Sequence, residues 1–177
     1  MNNKKVLIAV SLGIFLCMLD TTIMNITLPA IQESLNVELK DLSWALNVYT
    51  IVFASLTIPL AKLSELWGKE KAFVCSLGLF MISSLLCGLS SNLTLLIISR
   101  LLQGVSASVL FPLSMIIGVS NTSIEQRDKI IAILGVTQGF AAAVGPTLGG
   151  VISQFLGWHW VFWVNVPIGL IALVLAV

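Results

Sequence analysis

Charge is what this chain lacks. Asp, Glu, Lys and Arg make up 10% of its 177 residues, against about a quarter in a soluble domain. That is too little polar surface to coat a globule in water, so a soluble fold is excluded. The charges present nearly cancel, leaving a net of +1, and give no basic footprint for nucleic acid. There is one histidine and there are three cysteines. Cys17, Cys75 and Cys87 lie in apolar stretches without metal-ligand spacing. They read as small membrane-buried hydrophobes and report nothing on redox compartment. A Gly-rich phosphate loop with its Lys is missing, so ATP is not the expected energy source. No catalytic triad or metal cluster stands out, and the expectation is a non-enzyme that needs no cofactor.

What fills the chain instead is apolar sequence: 58% hydrophobic residues and a mean hydropathy of +1.05. A helix needs about 20 residues to cross the hydrocarbon of a bilayer. Six segments approach or exceed that length, at residues 6–31, 42–66, 72–89, 93–118, 130–156 and 160–177. They are long and continuously apolar, without the period-two alternation of a barrel strand, so they predict helices. Lys4 and Lys5 before Val6–Leu19 resemble a signal peptide. The segment runs on to Ile31 without a small-residue cleavage site, which predicts an uncleaved first span.

Loop charge sets the expected direction. With the N-terminus in the cytoplasm, the inner side collects Lys4, Lys5, Lys62, Lys69, Lys71, Arg127 and Lys129, and the outer side only Lys40. Positive loops stay inside. Trp44, Trp158, Trp160 and Trp163 fall near outer span ends and Trp67 near an inner end, as interfacial anchors do.

Asp20 and Arg100 are the charges set well inside the apolar segments. Either would cost several kcal/mol facing lipid, about 3 by insertion scales. They are tolerable facing a protein interior, a wet cavity or each other. Six helices joined in this way can form two three-helix units of inverted topology, in which spans 1 and 4 are equivalent. Those are the spans of Asp20 and Arg100. Asp20 lies about 11 residues, roughly 16 Å, from its outer span end, and Arg100 about 8 residues, roughly 12 Å. Similar depth allows a direct salt bridge or a shared cavity.

Local patterns add to this. In Leu19–Pro29, Asp20, Thr21 and Asn25 put a titratable group and hydrogen-bonding partners within about a turn and a half, and Pro29 can end or bend the helix. In Ala61–Lys71, Gly68 permits a tight turn and Glu65 can accept from nearby donors. In Arg100–Ser108, Gly104, Ala107 and Ser108 let another backbone approach. In Gly135–Gly150, small residues recur at 135, 139 and 143 and at 141, 145 and 149, two flat faces suited to close packing. Gly145-Pro146 should kink or soften that helix.

In this order, on these spans, the segments resemble signatures of the major facilitator superfamily, and more narrowly the N-terminal half of its fourteen-span drug:proton antiporters. The stretch Gly157–Gly169 is similar to the entry of span 6 in that branch. The chain departs from the pattern at Ala61 (usually Gly), Leu66 (usually Arg), Glu70 within a basic run, and His159 (usually Arg). The missing Arg puts part of the loop's latching role in question.

The resemblance implies an all-α integral membrane protein, with six transmembrane helices as two inverted three-helix repeats. It would be the truncated N-terminal bundle of a major facilitator fold in the inner membrane. It implies proton coupling by Asp20 and Arg100, and a substrate cavity at Thr21, Asn25 and Gln103. A conformational loop would lie at Glu65, Gly68, Lys69 and Lys71, and antiporter-motif packing at Gly135, Gly139, Gly145, Pro146, Gly149 and Gly150. Arg does not deprotonate in a protein, but its charge would bear on when Asp20, or a carboxylate of the substrate, takes up a proton. The expected partners are the lipid bilayer, protons, a lipophilic or cationic drug, and a missing C-terminal bundle or a second copy. The proton gradient is the expected energy source. A non-transporting membrane module, a truncated relic or an interaction subunit, is the alternative. The two separate on whether Asp20 must titrate.

Overall fold

In lipid, every backbone N–H and C=O must be satisfied within the protein, and a long apolar run does this by coiling into a helix. The computed structural model describes residues 3–176. Its helices are α1 (Asn3–Leu35), α2 (Leu39–Trp67), α3 (Lys69–Gly88), α4 (Leu93–Ser120), α5 (Arg127–Phe155), α6 (His159–Trp163) and α7 (Asn165–Ala176). A 3-10 turn, Ile124–Gln126, leads into α5. With α6 and α7 taken together, six stretches are long and apolar enough to cross a membrane.

The junctions follow from local chemistry. Asn36, at φ 50°, ends α1 in the left-handed region that asparagine tolerates. Gly68 alone separates α2 from α3, at φ 95°. The Asn92 side chain caps α4 by accepting from the Leu95 amide at 2.9 Å. Pro29, Pro59, Pro112 and Pro146 all lie inside continuous helices. The last span differs from the single helix expected over 160–177, whose final residue lies outside the described residues. Its helical hydrogen bonding is interrupted at Val164, while the backbone there keeps helical angles of φ −60° and ψ −25°. Pro167 lacks an N–H and its ring collides with the carbonyl four residues back, that of Trp163. The carbonyl just before, Phe162, is taken from another helix by the Ser84 hydroxyl at 2.8 Å.

α1 and α4 form the centre. α2 lies mainly on α4, and α5 mainly on α1, so each three-helix unit lends its second helix to the other. α3 packs on α4, and α7 on α1. The arrangement is that of two inverted three-helix repeats. Side-chain contacts repeat it: Trp163 packs over Gly88, and Met81 packs over Gly169. Of the three apolar clusters among the described residues, two stack along the bundle. One includes Ile14, Leu77, Phe80 and Leu113. The other includes Met24, Ile31, Leu96 and Phe162. Asp20 lies on α1 between them. α2 and α5 are the least enclosed of the long helices, with Ile58 71% and Val136 72% exposed.

Candidate functional site

Between these two apolar clusters, four elements besides its own helix place polar side chains around Asp20. Its helix α1 has turned this position inward, and both Asp20 and Arg100 are 0% exposed. Arg100 Nη1 donates to Asp20 Oδ2 at 2.5 Å. The same nitrogen donates to Gln103 Oε1 at 2.8 Å, and Arg100 Nε donates to the Ala45 carbonyl at 3.3 Å. The direct salt bridge, rather than a shared cavity, is therefore what the fold forms.

Asp20 Oδ1 accepts from two further donors, Gln103 Nε2 at 2.9 Å and Asn165 Nδ2 at 3.2 Å. Ser84 joins them, accepting from Asn165 Nδ2 at 3.0 Å and from Gln103 Nε2 at 3.3 Å. Cys87 Sγ lies 3.5 Å from Gln103 Oε1 as a weak donor. The Tyr49 ring lies 4.1 Å from the Arg100 guanidinium carbon. The carboxylate thus meets three donors, and the guanidinium meets a carboxylate, two carbonyl oxygens and an aromatic face. This is how a charge is kept out of water without being left uncompensated.

The site lies on the symmetry relation of the two repeats. Asp20 and Arg100 are 80 residues apart, and Ser84 and Asn165 are 81 apart. Each bonded pair stands at matching places in its two repeats, so the cluster sits close to the axis that relates them.

Residues 10–177 match the sequence model of the Major Facilitator Superfamily. The chain belongs to this superfamily. It is 38% identical over 174 residues to the multidrug efflux pump SdrM of Staphylococcus aureus, covering 96% of this chain and 38% of that protein. It is 37% identical to the probable multidrug resistance protein EmrY of Escherichia coli, covering 96% of this chain and 33% of that protein. It is 33% identical to the riboflavin transporter RibZ of Clostridioides difficile, over 97% of this chain and 38% of that one. The fold matches a bacterial homolog of the human lysosomal transporter Spinster, solved inward-facing and unoccupied. The TM-score is 0.79 at 18% identity, over 98% of this chain and 41% of that one. The chain therefore spans 29% to 38% of the length of such curated relatives.

The other residues singled out as a facilitator site are spread over the bundle. Gln103 is fully buried in the charge network itself. Thr21 is half-buried one position along, donating to the Cys17 carbonyl at 2.8 Å and lying 3.4 Å from the Tyr49 hydroxyl. Asn25 is exposed, its amide turned back to the Thr21 carbonyl at 3.0 Å. A cavity of about 210 Å³ opens between α2, α3 and α4, lined by Leu63, Ser64, Trp67, Cys75 and Val109 among others. Asp20, Thr21, Asn25 and Gln103 are not on its wall.

Glu65, Gly68, Lys69 and Lys71 sit apart from the charge network, at the α2–α3 junction, with Glu65 and Lys71 exposed. The α5 motif divides by face. Gly145 and Gly149 are buried where a side chain would meet Thr22 and Ile23 of α1, while Gly135 and Gly139 are exposed with open space around them. Pro146 and Gly150 lie partly covered beside the buried face. Trp44, Trp67 and Trp160 are exposed as anchors are, but Trp158 is buried against Phe162 and belongs to the core.

Sequence reasoning did not single out Tyr49, Ser84 or Asn165 as site residues. Asn165 carried a usable signal: a strongly polar amide inside an apolar span, two residues before a proline. Ser84 carried little, since serine is common in membrane helices.

Proposed function

We propose that this chain forms part of a proton-coupled exporter of lipophilic or cationic compounds that works by alternating access. The observation that supports this is the Asp20–Arg100 pair, fully buried between two apolar clusters of a membrane-length bundle. A buried ion pair is often no more stabilising than apolar residues of the same volume, so stability gives little reason to place one there. Protonation does. A proton on Asp20 cancels its charge, leaves Arg100 without its counter-ion, and shifts the balance between this packing and one in which the bundle opens. A cationic compound and a proton then compete for one carboxylate, and the proton gradient drives export.

In this reading the second half of the machine is another bundle of this fold, from further sequence or a second copy. It covers the open faces of α2 and α5, including Gly135, Gly139 and Ala143. The α2–α3 junction at Glu65, Gly68, Lys69 and Lys71 latches against it. The bundle sits in the inner membrane with its N-terminus in the cytoplasm, where Lys4, Lys62, Lys71, Arg127 and Lys129 meet the anionic surface. Thr21 and Asn25 line the substrate path when it opens.

The test is efflux of a fluorescent cationic dye from cells expressing the chain, with and without a proton gradient, alone and beside a second bundle. The expected result is gradient-dependent efflux that Asp20→Asn abolishes. No efflux in any of these settings, from a chain demonstrably in the membrane, would leave a non-transporting membrane module.

A further inference from the structure

The hydrogen-bond polarity around Asp20 holds information beyond its pairing with Arg100. Every group that touches its oxygens is a donor: Arg100 Nη1 on Oδ2, and Gln103 Nε2 and Asn165 Nδ2 on Oδ1. Such a shell satisfies a carboxylate and no other form. A neutral carboxyl carries an O–H that needs an acceptor, and in this shell it would point at a donor instead.

The nearby acceptors are mostly committed. Gln103 Oε1 already receives Arg100 Nη1 at 2.8 Å and the Cys87 thiol at 3.5 Å. The Ser84 hydrogen goes to the Phe162 carbonyl, and its oxygen receives two amide groups. Among the described side chains of this shell, one acceptor is free. Asn165 is 0% exposed, and its Oδ1 has no hydrogen-bond partner. A buried carbonyl oxygen left unsatisfied costs about 1–3 kcal/mol, so its presence calls for an explanation. The amide orientation is fixed by its neighbours: Ser84 Oγ has its proton engaged elsewhere and must accept, as must an ionised Asp20.

We propose that Asn165 is the positioning residue that reads the protonation of Asp20, by turning its amide through half a turn. This rests on the reading of Asp20 as the proton-carrying acid. While Asp20 is ionised, Asn165 Nδ2 donates to it and Oδ1 is idle. A proton arriving from the aqueous phase adds to Asp20 Oδ1 and makes the carboxyl neutral. The amide then rotates about its last side-chain bond, and Oδ1 accepts the new O–H. The orphan acceptor is used and no donor is left facing a donor at that contact, while Nδ2 turns to the place Oδ1 held and gives up both its bonds.

The turn reaches the last span directly. Asn165 is the first residue of α7, next to the interruption at Val164, and its Nδ2 bond to Ser84 is given up in the rotation. Ser84 is the group that holds the Phe162 carbonyl at the end of α6. The joint between α6 and α7 therefore changes its bonding when the proton arrives. The titratable and charged groups around Asp20 are Arg100 from α4, Tyr49 from α2, Cys87 from α3 and Cys17 on its own helix. The described residues of α5, α6 and α7 bring no charged side chain into the shell, so the change at Asn165 is one of hydrogen-bond polarity alone.

The test is infrared difference spectroscopy of the purified 177-residue chain in lipid, between high and low pH. A protonated-carboxyl band that disappears in Asp20→Asn locates the acid. Asn165→Leu should keep that band but move it to higher frequency, as a carboxyl does when it loses its acceptor. Ser84→Ala, which leaves the amide free to turn, should leave it in place. Wild-type chain grown with carbonyl-labelled asparagine needs no variant: an amide carbonyl band should shift in step with the carboxyl band. A carboxyl band unmoved by Asn165→Leu, with no amide signal in the labelled chain, would overturn the role of Asn165 and leave the acid standing. Absence of any band lost in Asp20→Asn would overturn the proton reading, and this inference with it.

Discussion

The Tyr49 ring lies against the Arg100 guanidinium, with its centroid 4.1 Å from the central carbon. The hydroxyl of the same ring is 3.4 Å from the Cys17 carbonyl and from Thr21 Oγ1. One side chain on α2 thus braces the charged positions of both α4 and α1. A desolvated cation–π contact is worth about 2 kcal/mol, and the long hydroxyl contacts much less. Tyr49→Phe should therefore cost under about 1 kcal/mol, and Tyr49→Leu about 2 kcal/mol more. Unfolding of the detergent-solubilised variants measures this. Equal losses would assign the bracing to the hydroxyl and not the ring.

Arg100 and Asp20 should show strong non-additivity. Arg100→Leu leaves a carboxylate buried without its counter-ion, at a cost of about 3–5 kcal/mol. Asp20→Asn in the same chain removes that stranded charge, so the double variant should be more stable than Arg100→Leu alone. Arg100→Lys should not substitute. The guanidinium uses Nε toward Ala45 and Nη1 toward Asp20 and Gln103, and an ammonium offers no such fork. A double-mutant cycle on unfolding free energy reads the coupling. Additive effects would mean that the pair is not held together as described.

The glycines of α5 should separate into two classes. At Gly149 a side chain would run into Ile23, including its backbone oxygen, so Gly149→Ala should lose about 1–3 kcal/mol through overpacking of the α1–α5 seam. Gly139 has nothing within 4 Å of where a side chain would start. Gly139→Ala should be neutral or gain up to about 1 kcal/mol from helix propensity. If the open face of α5 seats a second bundle, a bulkier Gly139→Leu should spare the stability of this chain and still depress transport. Loss of both together would place Gly139 in this bundle's own packing.

Much of the fold was legible because its signals are coarse and strong. Apolar length fixed the number of spans, and a charge inside an apolar run is expensive enough to mark Asp20 and Arg100 one residue at a time. The interruption at Val164 was not legible. Pro167 is visible in the sequence, but so are Pro29, Pro59, Pro112 and Pro146, and their helices continue. At this joint the Ser84 hydroxyl, 78 residues from Phe162, takes the Phe162 carbonyl, and no local pattern shows it. The two small-residue faces of α5 have the same spacing, and only packing decides that Gly145 and Gly149 go inward. Gln103 was placed on a substrate path by resemblance. Its amide meets Asp20, Arg100, Ser84 and Cys87 in the buried network, a set of contacts that no local pattern announces.

The central claim is that drug and proton answer to the same carboxylate. It is tested most directly by adding a lipophilic cationic dye to the purified chain in lightly buffered detergent, following dye binding by fluorescence and proton release by the pH of the medium. The chain is expected to release protons as dye binds at a pH where Asp20 is partly protonated, and Asp20→Asn to bind dye without releasing them. Dye binding with no proton release, or the same release from Asp20→Asn, would contradict the account.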